Sequence, residues 1–280
     1  MRDSEPAVSA HGGLIRGALA AYAGLVFLFV FAPIAFLVLF SFNANPAGSF
    51  PVTGLTTRWY EELSGDFELR DAFWTSLDVA IQVTTISVIA GTAAAFPLAR
   101  SRMRFRSAAR VWVTLPIMLP GLLIGISLMV LLTTVLGLRL SSRTAVIGQA
   151  IFVTPFVILL VGARLETLDR TLEWAAGDLG ADARARLRHI VLPALLPAVV
   201  ASALLAFTLS MDEFIITLFV IGGGDQTLPL YVFNHVRYGI TPSVNAVASL
   251  FLLGTFCALA LALAVPALLR IRARARFGRS

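Results

Sequence analysis

The feature that most constrains this chain is a series of apolar runs long enough to cross a bilayer. A helix spanning the hydrocarbon needs about 20 predominantly apolar residues. Six stretches are of that order: Leu19–Phe42, Phe73–Pro97, Val111–Leu136, Ala145–Ala163, Leu195–Val220 and Val244–Leu269. Lipid offers no partner to a free backbone N–H or C=O, so continuous runs of this kind must be helices. Composition agrees: 58% of the residues are hydrophobic and 14% charged, against about 25% charged in ordinary soluble domains. The expectation is an all-α membrane protein with six transmembrane helices. The first run outlasts the roughly 7–15 residues of a signal-peptide core and ends without a small-x-small cleavage site. It reads as an uncleaved anchor.

Charge sets the orientation. All 22 basic residues are arginines. With the N-terminus in the cytoplasm, 17 of them fall on the inner side, five each in Arg100–Arg110, Arg164–Arg188 and Arg270–Arg279, plus Arg2 and Arg16. Only Arg58, Arg70, Arg139, Arg143 and Arg237 remain outside, which obeys the positive-inside rule. The Arg100–Arg110 and C-terminal clusters read as a solvated, lipid-facing basic rim. The net charge of +6 therefore calls for no nucleic acid. The expected organisation is an N-terminal tail over 1–18, one six-helix domain over 19–269 and an Arg-rich tail over 270–280, both tails cytoplasmic.

Absent lysine also excludes chemistry. A phosphate loop of the form G-x-x-x-x-G-K-[ST] requires one, as does a Schiff-base mechanism. Gly222-Gly223-Gly224 reads as flexible backbone after the fifth span, and any ATP must be bound by another chain. Cys257 stands alone, so no disulfide framework exists. No His/Cys/Asp cluster has metal-ligand spacing, and no cofactor is expected.

The longest outer segment, Asn43–Ala72, carries turn signals at Pro46, Gly48, Pro51 and Gly54. Thr57–Leu69, with Trp59, Tyr60 and Leu63, suits a short interfacial helix. Its acids (Glu61, Glu62, Asp66, Glu68, Asp71) read as a solvated face or as a contact for a soluble partner.

On the inner side, residues 165–193 form a polar island between spans four and five. Leu168–Leu179 is rich in helix formers, and the adjacent Ala175 and Ala176 permit close approach of another surface. Gly180 ends the run as a C-cap or bend. Ala181–Ile190 suits a second helix, and Leu192-Pro193 opens span five, since proline is tolerated in a helix's first turn.

The spacing E-x-A-A-x-x-x-G-x(9)-I-x-L-P in this loop resembles the EAA loop of permease subunits in bacterial binding-protein-dependent ABC importers. By that resemblance Ala175, Ala176, Gly180, Ile190, Leu192 and Pro193 inherit the motif, with Glu173 in the preceding acidic position. Trp174 replaces the first letter of the E-A-A core. If that glutamate makes a polar contact with the ATPase, Trp174 replaces it by burial or Glu173 substitutes for it. Further segments, Phe207–Phe214, Thr227–Pro229 and Val236–Asn245, with Leu115-Pro116 and Leu119-Pro120-Gly121, are similar to the second permease of spermidine/putrescine importers. The resemblance implies the six-helix, MetI-like fold of type I importers in the bacterial inner membrane. It also implies a coupling helix that docks on ABC ATPase subunits. A homologous permease partner (a different chain, as in the polyamine systems) and an extracytoplasmic substrate-binding protein complete the implied assembly.

Asp212 and Glu213 lie inside span five, some fifteen residues from Pro197 and so roughly 22 Å along a helix. An ionisable residue at such depth faces a bundle interior or a wet cavity. One of the pair lines a path for a cationic solute, or both hydrogen-bond between helices. Asp78 and Ser210 are further pathway candidates, beside Gln82, Thr133, Thr134 and Gln149, all of which equally suit ties between helices. Pro116, Pro120, Pro155 and Gly125 are expected to kink or bend spans. An ion channel leaves the polar island without a purpose. An intramembrane enzyme lacks a nucleophile–base pair.

Overall fold

A computed structural model describes residues 7–48, 50–100, 104–238, 241–257 and 260, with side chains from Arg16 onward. Among the described residues the regular elements are helical, joined by one isolated antiparallel bridge, Asn43–Leu55. They group into two compact units, 1–65 with 235–254, and 66–234 with 255 onward.

In the first unit, α1 (Ala7–Ser41) is a span whose apolar side chains stay uncovered, Phe29 being 82% exposed. After it, Trp59 and Leu63 bury one face of the short α2 (Arg58–Ser64). The Trp59 indole N–H donates to the Asn43 carbonyl at 2.8 Å, and the Tyr60 and Ser41 hydroxyls meet at 2.7 Å. The helix expected over Thr57–Leu69 is therefore two, because the chain breaks at Gly65-Asp66 before α3 begins.

The second unit is built on α3 (Phe67–Arg100), α6 (Ser142–Thr167) and α9 (Leu192–Asp212). Val79, Val83, Val153, Val157, Val161, Leu165 and Leu195 form its core. Between these three helices α4 (Arg106–Met118) and α5 (Gly121–Val130) intervene, and α7 (Thr171–Asp178) and α8 (Ala183–Arg186) precede α9. A shorter α10 (Ile215–Val220) packs with α5 on the first turns of α6 through Ile124, Leu128, Ala145 and Ile216. In the sequence α11 (Leu228–Tyr238) follows, and α12 (Pro242–Cys257) belongs mainly to the first unit.

Small residues set the helix separations, as bilayer packing requires. A Cβ on Gly91 would lie 2.7 Å from the Val157 Cγ1, and one on Gly125 would lie 2.8 Å from the Phe219 ring. The α3–α6 contact also carries a Thr154-to-Ser87 hydroxyl bond at 3.2 Å.

Four helices are long and apolar enough to span: Arg16–Ser41, Phe67–Arg100, Ser142–Thr167 and Ala183–Asp212. The third expected span, Val111–Leu136, is not one rod. α4 and α5 meet at 98°, where Leu119 turns extended and Pro120 lacks the N–H that would continue the ladder. Pro155 lies inside α6 and interrupts nothing. The fifth expected span also breaks, after Asp212. The sixth, Val244–Leu269, extends outside the described residues; its described part belongs to α12. The described residues therefore hold four candidate spans, or five with the bent pair counted as one, and the sixth expected span lies partly outside them.

Nor is Gly222 merely flexible. It holds φ +81, and a Cβ there would sit 2.3 Å from the Leu140 carbonyl oxygen. Next to it, Asp225 accepts the Ser142 N–H at 2.9 Å, docking this turn on the start of α6. Among the outer acids, Asp66 accepts the Tyr231 hydroxyl at 2.5 Å. Burial, helped by that carboxylate and by Glu68, pushes the phenol above its ordinary range, so this acid is a structural partner and not part of a solvated face.

Replacing Gly91 by alanine is expected to destabilise the fold by about 1–3 kcal/mol through overpacking against Val157. Gly162→Ala, with nothing within 4 Å of its new Cβ, is the control. Thermal midpoints in detergent should fall for the first and hold for the second.

Candidate functional sites: an inner arm and a broken membrane helix

The polar island folds as a short arm with defined ends. α6 stops at Thr167, and Asp169 accepts the Thr171 N–H at 2.9 Å and the Thr171 hydroxyl. Those bonds hold the Asp169 carboxyl below the usual aspartate range and fix the first turn of α7. At its other end, Gly180 takes φ +87. The Gly180 N–H bonds the Gly177 carbonyl at 2.9 Å, and the Ala181 N–H bonds the Ala176 carbonyl at 2.9 Å. This is the paired closure of a Schellman motif, which needs a left-handed residue just past the helix. Asp182 then caps α8 by accepting the Ala185 N–H at 2.7 Å. α8 runs into α9 through a π turn, Leu187–Val191. Pro193 has no N–H for the residue four before it, and the wider turn absorbs that loss. Ile190 sits half-buried within this turn, followed by exposed Leu192 and Pro193.

The arm sorts its side chains. Leu172, Trp174 and Leu179 are 65%, 63% and 90% exposed, with Ala175 exposed among them and Ala176 half-buried. Glu173 turns inward. The Arg100 Nη1 donates to its Oε2 at 2.6 Å, and Nη2 lies 2.6 Å from Oε1. Between the two sequence alternatives, Glu173 is thus engaged within its own chain and Trp174 is the residue presented outward.

Two more arginines of the presumed solvated rim are also engaged. Arg106 and Arg110 of α4 both reach Glu166 Oε1, at 2.7 and 2.5 Å. One turn on from Glu173, a Cβ on Gly177 would lie 3.2 Å from the Arg186 Nη1, so that guanidinium lies over the one glycine of α7. Sequence reading grouped these arginines by count. Their acidic partners sit some sixty or seventy positions away, and local spacing carries no trace of the pairing.

The second site is the interruption of span five. α9 ends at Asp212, and Glu213 becomes extended (ψ 117). Its carboxylate accepts the Ile216 N–H at 2.8 Å, the Thr217 N–H at 2.9 Å and the Thr217 hydroxyl at 2.8 Å. Glu213 thus caps α10, satisfying donors that lipid could not. Thr217 in turn accepts from the Gln149 Nε2 at 2.7 Å, and Gln149 Oε1 accepts the Ser210 hydroxyl. Gln149 and Thr217 are fully buried and Ser210 nearly so. This chain of bonds ties α6 to both sides of the break.

Asp212 stands apart. It is exposed, and among the described residues its carboxylate has no hydrogen-bond or ion-pair partner. Asp78, also exposed, accepts from Gln82 one turn along α3 at 2.6 Å. Thr133 bonds back to its own helix at Met129. A second break lies alongside the first: a Cβ on Gly121, at the start of α5, would meet Ile215 at 3.7 Å. Two helices therefore begin side by side where α4 and α9 stop.

Gln149→Leu would remove the acceptor of the buried Ser210 hydroxyl, while the Thr217 hydroxyl keeps Glu213. A loss of about 1–2 kcal/mol is expected, read as a lowered thermal midpoint with the helical circular dichroism intact.

Comparison with known proteins places these sites in context. The family model for the binding-protein-dependent transport system inner membrane component matches residues 87–277. The putrescine transport system permease protein PotI of Escherichia coli K12 is 38% identical over 234 residues, covering 81% of this chain and 83% of that protein. The spermidine/putrescine transport system permease protein PotC of the same strain is 34% identical over 241 residues, covering 86% and 89%. Among solved structures, a chain of a bacterial ABC transporter involved in import of the acidic polysaccharide alginate superposes with TM-score 0.69 at 16% identity, over 95% of this chain and 99% of that one. A chain of the MetNI methionine ABC transporter in an inward-facing conformation gives 0.63 at 16% identity, over 71% and 94%. At such identities the likeness is one of fold.

Proposed function

Since the chain belongs to the family of binding-protein-dependent transport system inner membrane components, a permease subunit of an ABC importer and not an enzyme, we propose that it carries polyamines and is driven through its inner arm by a separate ATPase. The permease relatives at 34–38% identity are named for putrescine and spermidine, and this supports a small organic polycation as the solute. The observation that carries the coupling reading is the arm itself. α7 is closed at both ends by side-chain and backbone caps, and it holds Leu172, Trp174 and Leu179 clear of its own chain.

In this reading the ATPase dimer closes on ATP and pulls α7. The arm passes that movement through α8 and the π turn into α9, which ends at the break before Glu213. Rocking of this permease against a homologous permease chain then alternates the cavity between inner and outer access. A soluble binding protein releases solute on the outer side. Asp212 provides the carboxylate for the passing ammonium groups, Asp78 a second acid along α3, while Glu213 and Ser210 hold the helix break in shape. The loop 165–193 is the coupling segment of a six-span domain, 19–269, with both tails in the cytoplasm of a bacterial cell.

The test is reconstitution with the cognate ATPase, partner permease and binding protein. Trp174→Ala is expected to reduce ATPase capture about tenfold or more, in line with an aromatic anchor at an interface. Capture unchanged in a folded Trp174→Ala protein would remove the docking role. Asp212→Asn is expected to lower putrescine uptake about tenfold without loss of assembly, an attraction worth about 1.4 kcal/mol. Glu213→Gln should act on stability first. Equal uptake by wild type and Asp212→Asn would defeat the pathway assignment.

A further inference from the structure

The arm's acidic residue faces the wrong way for a docking contact, and what it touches instead has a consequence for coupling. Glu173 and Arg100 are each under one-fifth exposed, at 17% and 18%. Arg100 is the last residue of α3. The contact has two points, an Nη1 hydrogen bond and an Nη2 charge contact, each at 2.6 Å, and a forked guanidinium held at two points is fixed in orientation as well as separation. We infer that Arg100 and Glu173 are a positioning pair that locks the coupling arm to α3, so that the arm drives α3 and α9 together. The inference rests on the reading of α7 as the docking arm.

Three features converge on it. First, α7 has one covalent connection to each of α6 and α8, and a helix of eight residues held only by its ends can pivot about them. The ion pair supplies a third attachment, on a different helix. Second, Gly177 lies one turn from Glu173 on the same face of α7, and the Arg186 guanidinium of α8 packs there, so the inward face of the arm is held at two levels along its axis. Third, α4 is itself fastened, because Arg106 and Arg110 converge on Glu166 at the end of α6, and the Arg106 Nε donates to the Leu98 carbonyl of α3 at 2.5 Å. The pull on α7 thus enters a clamped junction of α3, α4 and α6. The exposed Trp174 and Leu172 flank Glu173 in sequence yet contribute nothing to that junction, which separates docking from transmission on a single helix.

The experiment uses the assembled importer in proteoliposomes and reads three quantities: ATPase captured, ATP hydrolysed and solute taken up. Arg100→Gln and Glu173→Gln are expected to keep ATPase capture, since neither side chain lies on the outward face. Uptake per ATP is expected to fall about tenfold, the scale on which a coupling element acts. The reversed pair, Arg100→Glu with Glu173→Arg, should bring uptake per ATP back to within about threefold of wild type, because the two sites act as one unit. Arg100→Lys, which keeps the charge and loses the fork, should fall between. It is also the probe to use if a Gln variant fails to assemble.

Three results would overturn the inference. One is wild-type uptake per ATP in both Gln variants. Another is a reversed pair no better than the worse single variant. The third is loss of ATPase capture in a folded Glu173→Gln protein, which would return Glu173 to the docking face. Failure of the underlying reading looks different: Trp174→Ala would then retain capture, or the wild-type protein would capture no ATPase at all, and the positioning role would fall with it.

Discussion

A helix that stops inside a bilayer must find partners for its open backbone groups within the protein, because the surrounding hydrocarbon supplies none. That constraint organises the second half of this chain. At Asp212–Glu213 the answer is a carboxylate that folds back onto three donors of the next helix. The buried Gln149 then links that acceptor network to the end of α9 through Ser210. An ion in lipid is costly, and an ion holding a helix N-terminus offsets part of that cost by accepting bonds and by facing the positive end of the peptide dipoles. The two adjacent acids therefore have different physical lives. Glu213 is fixed by the backbone it caps, and Asp212 is left with its charge available.

The same rule, applied outside the bilayer, explains the arm. Water could satisfy the ends of α7, yet each end is closed by the chain itself, through Asp169 and through the Gly180 closure. A short helix gains little from its own hydrogen bonds because nucleation is unfavourable, so it persists only where caps and tertiary contacts hold it. α7 has both. Rigidity in such a segment is a property of its terminations and of the Arg100 and Arg186 braces, not of its length.

Much of this was legible in the sequence, and the boundary of legibility is physical. The long apolar runs and the turn at Gly180 follow from local chemistry, and so did the family resemblance carried by Ala175, Ala176, Gly180 and Leu192-Pro193. The break after Asp212 was hidden because Leu195–Val220 carries no charge besides the two acids and no glycine, and depth alone cannot distinguish a lining acid from a capping one. What would have pointed to it is Thr217 four positions after Glu213, a spacing that lets one carboxylate meet both the hydroxyl and the new helix's N–H groups. The bend at Leu119-Pro120 was half visible, proline marking the place but not its 98° angle. The pairing of Arg100 with Glu173, and of Arg106 and Arg110 with Glu166, belongs to tertiary structure and leaves no local mark. Counting the arginines sorted them by side of the membrane and missed that three of them are fasteners.

Fold and substrate separate among chains of this architecture. Chains of an alginate importer and a methionine importer share the architecture at 16% identity, and alginate is an acidic polysaccharide whereas polyamines are cations. The bundle therefore cannot by itself choose the sign of its cargo. Choice must rest with the few charged side chains left uncommitted within the spans and with whatever delivers solute from outside. Among the described residues Asp212 is exposed and has no partner beside the point where two helices begin side by side, while the start of α10 is already met by the Glu213 carboxylate. In the proposed reading it is therefore the helix break, and not the length or hydrophobicity of any span, through which the solute's charge would matter to the permease.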